Sequence, residues 1–233
     1  MKFIRYTAVL LAVIFLYTGC SAQKLDTDQL AALIFERVVG GQPSEEFENS
    51  FAEADALDAL VAQREDEYFG ILDSFVKSIG AAWSEDQSAA LAEAVKAAAA
   101  ANASYEITAA KTERDGSVRI DLGVTGLNFS EVLKQATTAI YAESEANPGL
   151  KYDAEALGAA AAEVFNEALA EAEALPSPIA VTITLRQKGE KAVLAEADQK
   201  GLDALILSAF FGVENEEDYI KAIQAAKMGV WQE

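Results

Sequence analysis

Carboxylates are the side chains with which this chain could do chemistry: 38 Asp and Glu stand against 18 Lys and Arg, and there is no histidine. Acids cluster at Glu45-Glu46, Glu65-Asp66-Glu67, Glu85-Asp86 and Glu216-Glu217-Asp218. Paired carboxyls about 5–10 Å apart in a cleft can cleave a glycosidic bond. With so many acids some pair meets that spacing by chance, so the clusters read as solvated faces, two of them at helix starts where the dipole favours negative charge. The absence of histidine removes Ser-His-Asp triads, Cys-His pairs and His-based zinc sites from consideration. The densest acid run, "VENEEDY", lacks the D-x-[DN]-x-[DN]-G pattern of a calcium loop and reads as a helix start. "GVTG" and "GLNFSE" lack both phosphate-loop spacings, so Gly123 and Gly126 are expected to mark a bulge and a strand end. No catalytic, cofactor-binding or metal-binding residue is assigned, and the chain is read as a non-enzyme.

One thiol remains, Cys20, in "LYTGC". Ahead of it lie Lys2 and Arg5, then the uncharged run "YTAVLLAVIFLY". Its length fits the roughly 7–15 residues of a signal-peptide core and falls short of the ~20 of a spanning helix. Thr18, Gly19, Cys20, Ser21 and Ala22 are the small residues a signal peptidase accepts. The stretch resembles the bacterial lipobox, with Tyr17 in the place usually held by Leu. That resemblance implies diacylglycerol on the Cys20 thiol and cleavage just before it. An ordinary secretory cut after "CSA" and an uncleaved anchor are the other readings. A lone thiol outside the cytoplasm has no disulfide partner, and a thioether would consume it. Two acyl chains at ~0.8 kcal/mol per buried CH₂ make a stable anchor where one does not.

The expected organisation is residues 1–19 as signal peptide, 20–25 as lipidated cysteine and tether, and 26–233 as one extracytoplasmic domain. Within that domain 26–102 is the helical half and 103–233 the sheet-containing half. Cleavage leaves 16 Lys and Arg against 38 Asp and Glu, a net charge of −22. Nucleic acid needs a basic face, so it is not an expected partner. With 52% apolar residues in periodic array, the chain reads as folded.

Those elements are legible in turn. Asp26 can cap a helix burying Leu30, Leu33, Ile34 and Val38. Phe47, Phe51, Ala54, Leu57 and Val61 then recur at helical spacing. A further helix carries Tyr68, Phe69, Leu72, Phe75, Val76 and Ile79, and ends near Gly80. Ser84 and Gln87 form a capping box, as do Asn128 and Glu131. Between them Tyr105, Ile107 and Ala109 alternate, Asp115-Gly116 turns the chain, and Val118, Ile120, Leu122 and Val124 alternate strictly. Asp153 can cap a helix burying Leu157, Ala161, Val164, Ala168, Ala172 and Leu175. Ile179, Val181, Ile183 and Leu185 alternate, "KGEK" turns into a weaker fourth strand, and two helices close the chain. The fold class is therefore α+β: a helical first half, then two β-hairpins forming an antiparallel sheet covered by helices. Phe69, Phe75, Phe165, Phe210 and Phe211 read as core, or as the lining of an apolar pocket between sheet and helices.

The lipobox, the helical half and the strand pairs "YEI…DGSVRIDLGVTGLNF" and "PIAVTITLRQKGEKAVLAEA" together resemble uncharacterised lipoproteins of Gram-positive cell surfaces. The sheet also resembles the cystatin and nuclear-transport-factor class. The resemblance implies a surface lipoprotein and supplies no activity. The expected role is that of a non-enzymatic binding or interaction module at the cell surface, anchored through a diacylglyceryl group on Cys20, with a protein or cell-wall partner. The alternatives are a carboxylate-dependent hydrolase of wall or glycan polymers and a carrier of a small apolar ligand.

Overall fold

The structure is a computed structural model and describes residues 26–195 and 198–231. Helix α1, Thr27–Gly40, begins where the Asp26 carboxylate accepts the N–H groups of Asp28 and Gln29. Leu30, Leu33, Ile34 and Val38 are buried, as their spacing predicts. Ser44 caps the short helix α2, Glu45–Ser50. The helical spacing predicted through Phe51 is then interrupted. Phe51 is extended and bridges Ala192, and the Ala52 N–H donates to the Ala192 carbonyl at 2.8 Å. Helix α3 restarts at Ala54 and runs unbroken to Ser78, one helix where the spacing suggested two. Helix α4, Glu85–Asn102, opens on the expected Ser84/Gln87 capping box and buries Leu91, Val95 and Ala99.

Strands β1, Ser104–Thr112, and β2, Val118–Thr125, form the first hairpin. Its turn has three residues rather than two: the Gly116 N–H donates to Glu113 O, and the Glu113 N–H to Ser117 O. Gly116 takes φ 83°, the left-handed geometry such a turn requires. Val118, Ile120, Leu122 and Val124 are all buried. The alternation expected of β1 fails at Ala109. A register shift between Ile107 and Ala109 sets Tyr105 and Ile107 opposite Val124 and Leu122, but Ala109 opposite the outward Asp121. The bulge therefore lies in β1, and Gly123 pairs regularly between Glu106 and Ala180.

Helix α5, Phe129–Ala146, lacks the expected capping box: the Asn128 side-chain Oδ1 accepts the Ser130 hydroxyl, and Glu131 binds Lys134. A 3₁₀ turn, Pro148–Tyr152, leads to helix α6, Ala154–Ala170, capped by Asp153 as predicted. Helix α6 ends short of Leu175 because the chain there pairs instead with the exit from β2. Leu127 bridges Ala174, and the Leu175 N–H donates to Gly126 O at 2.8 Å. Strands β3, Ile179–Lys188, and β4, Lys191–Leu194, are followed by helices α7, Gln199–Phe211, and α8, Glu216–Trp231.

The sheet is antiparallel throughout in the order β1-β2-β3-β4, so the two hairpins join through β2 and β3, and the fold is α+β. The helical half and the sheet half share a single core running from Leu30 to Ala226. Helix α7 is buried on nearly every side, as expected of a helix that is apolar all round. Beyond the end of β4, the Asp198 carboxylate takes the Thr184 N–H and so covers that edge of β3. Outside the sheet, Arg119 and Thr182 both donate to Asp121, at 2.9 and 2.6 Å. Truncating Ile120 to Ala should cost about 2–5 kcal/mol, while Arg119→Ala should cost under about 0.5 kcal/mol. Equal urea midpoints would contradict this assignment of faces.

Candidate functional site

Two charges sit inside the apolar stripes of their helices. Arg37 lies between Ile34 and Val38 on α1, and Glu65 four residues after Val61 on α3. Each is only 4% exposed. Arg37 donates through Nε to the Asp58 carboxylate and faces Glu65 at 3.6 Å. From the other side Lys96 of α4 reaches Glu65 at 3.2 Å and stands 5.5 Å over the Phe69 ring. One carboxylate thus ties three helices. Burial pushes the Glu65 carboxyl above its ordinary range, against the pull of Lys96 and Arg37.

A second cluster lies on the neighbouring face of α3. Arg64 pairs with Glu67 at 2.6 Å and with Asp203 of α7 at 3.2 Å. Burial raises Asp203, opposed by Arg64 and assisted by Glu67 and Glu216. Tyr68 is pushed up to about 12, chiefly by burial. The fully buried Tyr219 donates its hydroxyl to the Tyr68 carbonyl at 3.1 Å, which fastens α8 to α3. Both clusters pair acids with bases between helices, and they account for Glu65 and Glu67 of the predicted acid run.

The other predicted acid clusters occupy first helical turns: Glu45-Glu46 on α2, Glu85-Asp86 on α4 and Glu216-Glu217-Asp218 on α8. In "VENEEDY" Asn215 accepts the Asp218 N–H, and Lys221 pairs with Glu217 and Asp218. Among the described residues no group of three or more Cys, Asp and Glu side chains is gathered to hold a metal ion. Phe75, Phe165, Phe210 and Phe211 are core, and Phe69 packs on Phe210 and Phe211. An apolar hollow of about 140 Å³ lies instead between the start of α3 and β4, lined by Phe51, Leu57, Leu60 and Leu194.

A gathering of carboxylates on a concave surface lies outside the acid clusters predicted from the sequence. A hollow of about 390 Å³ at the start of α5 is lined by Asn128, Glu131, Gln135, Glu171 and Glu173. It runs into a second of about 520 Å³ between α5 and α6, which adds Glu167 and shares Gln135 and Glu171. The signal for it was spread over two segments: Glu131 and Gln135 one turn apart, and "EAE" beyond the end of α6. The groove exists because Glu171–Leu175 turns out of the helix to pair with Gly126 and Leu127. Four carboxylates and two amides make a surface that accepts hydrogen bonds and attracts positive charge. Cys20 lies outside the described residues, among which no helix is long and apolar enough to cross a membrane.

No family model matches the chain, and no curated protein matches it. Among solved structures it is similar to a protein from Bacillus subtilis subsp. subtilis str. 168 named a "putative lipoprotein" (YcdA). The TM-score is 0.56 at 16% identity, over 78% of this chain and 57% of the other. The chain thus spans a little over half the length of that protein, and what the two share is the fold.

Proposed function

We propose that this protein is a membrane-anchored extracytoplasmic lipoprotein, carried by diacylglycerol on Cys20 and acting as a non-enzymatic interaction module. The carrying observation is the uncharged run "YTAVLLAVIFLY" behind Lys2 and Arg5, ending on small residues at the chain's single cysteine. The fold shared with a protein named a lipoprotein supports the same reading. Cells fed a fatty-acid analogue should label the wild-type chain and leave Cys20→Ser unlabelled. Equal labelling of both, or of neither, defeats the proposal.

The tether is short, and a chain extends at most ~3.6 Å per residue. The domain therefore stands within roughly 15–20 Å of the headgroups. A charge of −22 is repelled by an anionic leaflet, so the lipid alone must hold it there. Mature protein carrying Cys20→Ser should stay in the supernatant with phosphatidylglycerol vesicles at every ionic strength. Salt-sensitive pelleting would replace the interaction-module reading with a membrane-surface one. The α5–α6 groove offers a partner an acidic concave face.

A second reading, a carboxylate-dependent hydrolase, is favoured by that same groove. Glu131, Glu171 and Glu173 line one hollow, and such an enzyme needs two carboxyls flanking the bond it cuts. The carboxyls that burial raises, Glu65, Asp198 and Asp203, stand outside that lining. Hydrolysis of wall glycans that Glu171→Gln abolishes would put this reading first.

A further inference from the structure

We infer that the corner between α3 and α4 holds one ordered water molecule, bound by the indole of Trp83. Trp83 is 8% exposed, and its Nε1–H is buried with no protein acceptor in reach. An unsatisfied buried donor is costly, and native structures pair such groups with protein or with water. Trp83 lines a cavity of about 10 Å³ whose other polar lining residues are Asp73 and Ser88. Phe69, Leu72 and Leu91 form apolar walls. That volume is about one water-sized probe, the smallest void that accommodates a water. The chemistry selects the same occupant. The indole needs an acceptor and the carboxylate needs donors, and water supplies both. A bare cation would satisfy Asp73 and oppose the indole N–H.

Asp73 already accepts from Lys77 Nζ at 2.6 Å and from the Ser88 hydroxyl. The water is the third member of a polar joint between the end of α3 and the start of α4. It sits beside the place where Ala82 takes part in a 2.7 Å backbone bond to Ala154, docking α6 on the same corner. The joint therefore fixes the angle at which α6, and with it one wall of the acidic groove, meets the α3–α4 pair.

Water–protein cross-relaxation in the full chain, solubilised in micelles with labelled indoles, tests this. The two indole signals, Trp83 and Trp231, are assigned with Trp231→Phe. The Trp83 Nε1–H should show laboratory-frame and rotating-frame cross-peaks to water of opposite sign, the mark of a water held for more than about a nanosecond. Same-sign cross-peaks would mean passing bulk solvent, and no cross-peak would mean a dry cavity; either overturns the inference. Ala92→Val adds two methyl groups to the lining and should abolish the opposite-sign pair while leaving the rest of the amide spectrum in place. Persistence of the pair unchanged in that variant would locate the water elsewhere and overturn it too.

Discussion

Arg37→Ala should destabilise the protein by about 3–5 kcal/mol, the cost of leaving a buried charge without its partner. The loss has two parts. Arg37 is 4% exposed, so removing its stem opens a cavity between α1 and α3. It also removes a counterion from Glu65, which is as deeply buried and keeps only Lys96 at 3.2 Å. Glu65→Gln should behave quite differently. Burial raises the folded-state pKa of Glu65 above its unfolded value, so ionising it costs the folded state more than the unfolded one. Its contribution is fully present below the unfolded pKa and is lost as pH rises through the folded pKa. The Gln variant, which never ionises, should match wild type in acid and gain on it as pH rises through the carboxylate range. Urea unfolding of both variants from pH 4 to pH 7 distinguishes the outcomes. An Arg37→Ala cost below about 1 kcal/mol would show that the cluster is solvated rather than buried, and a Glu65→Gln deficit that grows with pH would show that pairing with Arg37 and Lys96 outweighs burial at Glu65.

The same two residues show where sequence reasoning stopped. By clustering alone Glu65 reads with Asp66 and Glu67 as a solvated run, although Leu57, Val61, Glu65, Tyr68 and Leu72 form one stripe at helical spacing. Arg37 breaks the stripe of α1 in the same way. A charge inside an apolar stripe was the available signal for a buried pair, and reading acids by clustering hid it. Features set by neighbours in sequence were legible: the Asp26, Ser84 and Asp153 caps, the strict alternation of β2 and the break at Asn147-Pro148. Features set by distant pairing were not. The interruption at Phe51 depends on Ala192, the early end of α6 on Gly126 and Leu127, and the bulge in β1 on β2. The acidic groove follows from the second of these, so its carboxylates could be counted in the sequence but not brought together. Asn128 and Glu131 had the right spacing for a capping box, yet Asn128 lies in the segment that pairs with Glu173, and its side chain turns to Ser130.

That segment carries the other large expected effect. Gly126→Ala should destabilise the fold by about 3 kcal/mol or more, at or beyond the upper end of ordinary overpacking. Gly126 leaves β2 between α7 on one side and the 173–175 segment on the other. Its carbonyl accepts the Leu175 N–H at 2.8 Å, and the next residue's N–H donates to Ala209 O at 3.0 Å. A methyl group at position 126 would stand 1.7 Å from the Ser208 carbonyl oxygen and 2.9 Å from that of Ala209. No rotamer relieves a clash with backbone, so α7 would have to move away from the sheet exit, and α7 is the most deeply buried helix of the core. Gly70→Ala is the matched control. Gly70 is an exposed interior residue of α3 with nothing within 4 Å of the added methyl, so this change should stabilise by about 0.4–1 kcal/mol through the lower entropy of the unfolded chain. Opposite signs in thermal unfolding are the expected result for one chemical change at two sites. A Gly126→Ala protein that melts with wild type would mean the β2 exit does not run against α7, and the wall of the acidic groove built on that crossing would be misplaced with it.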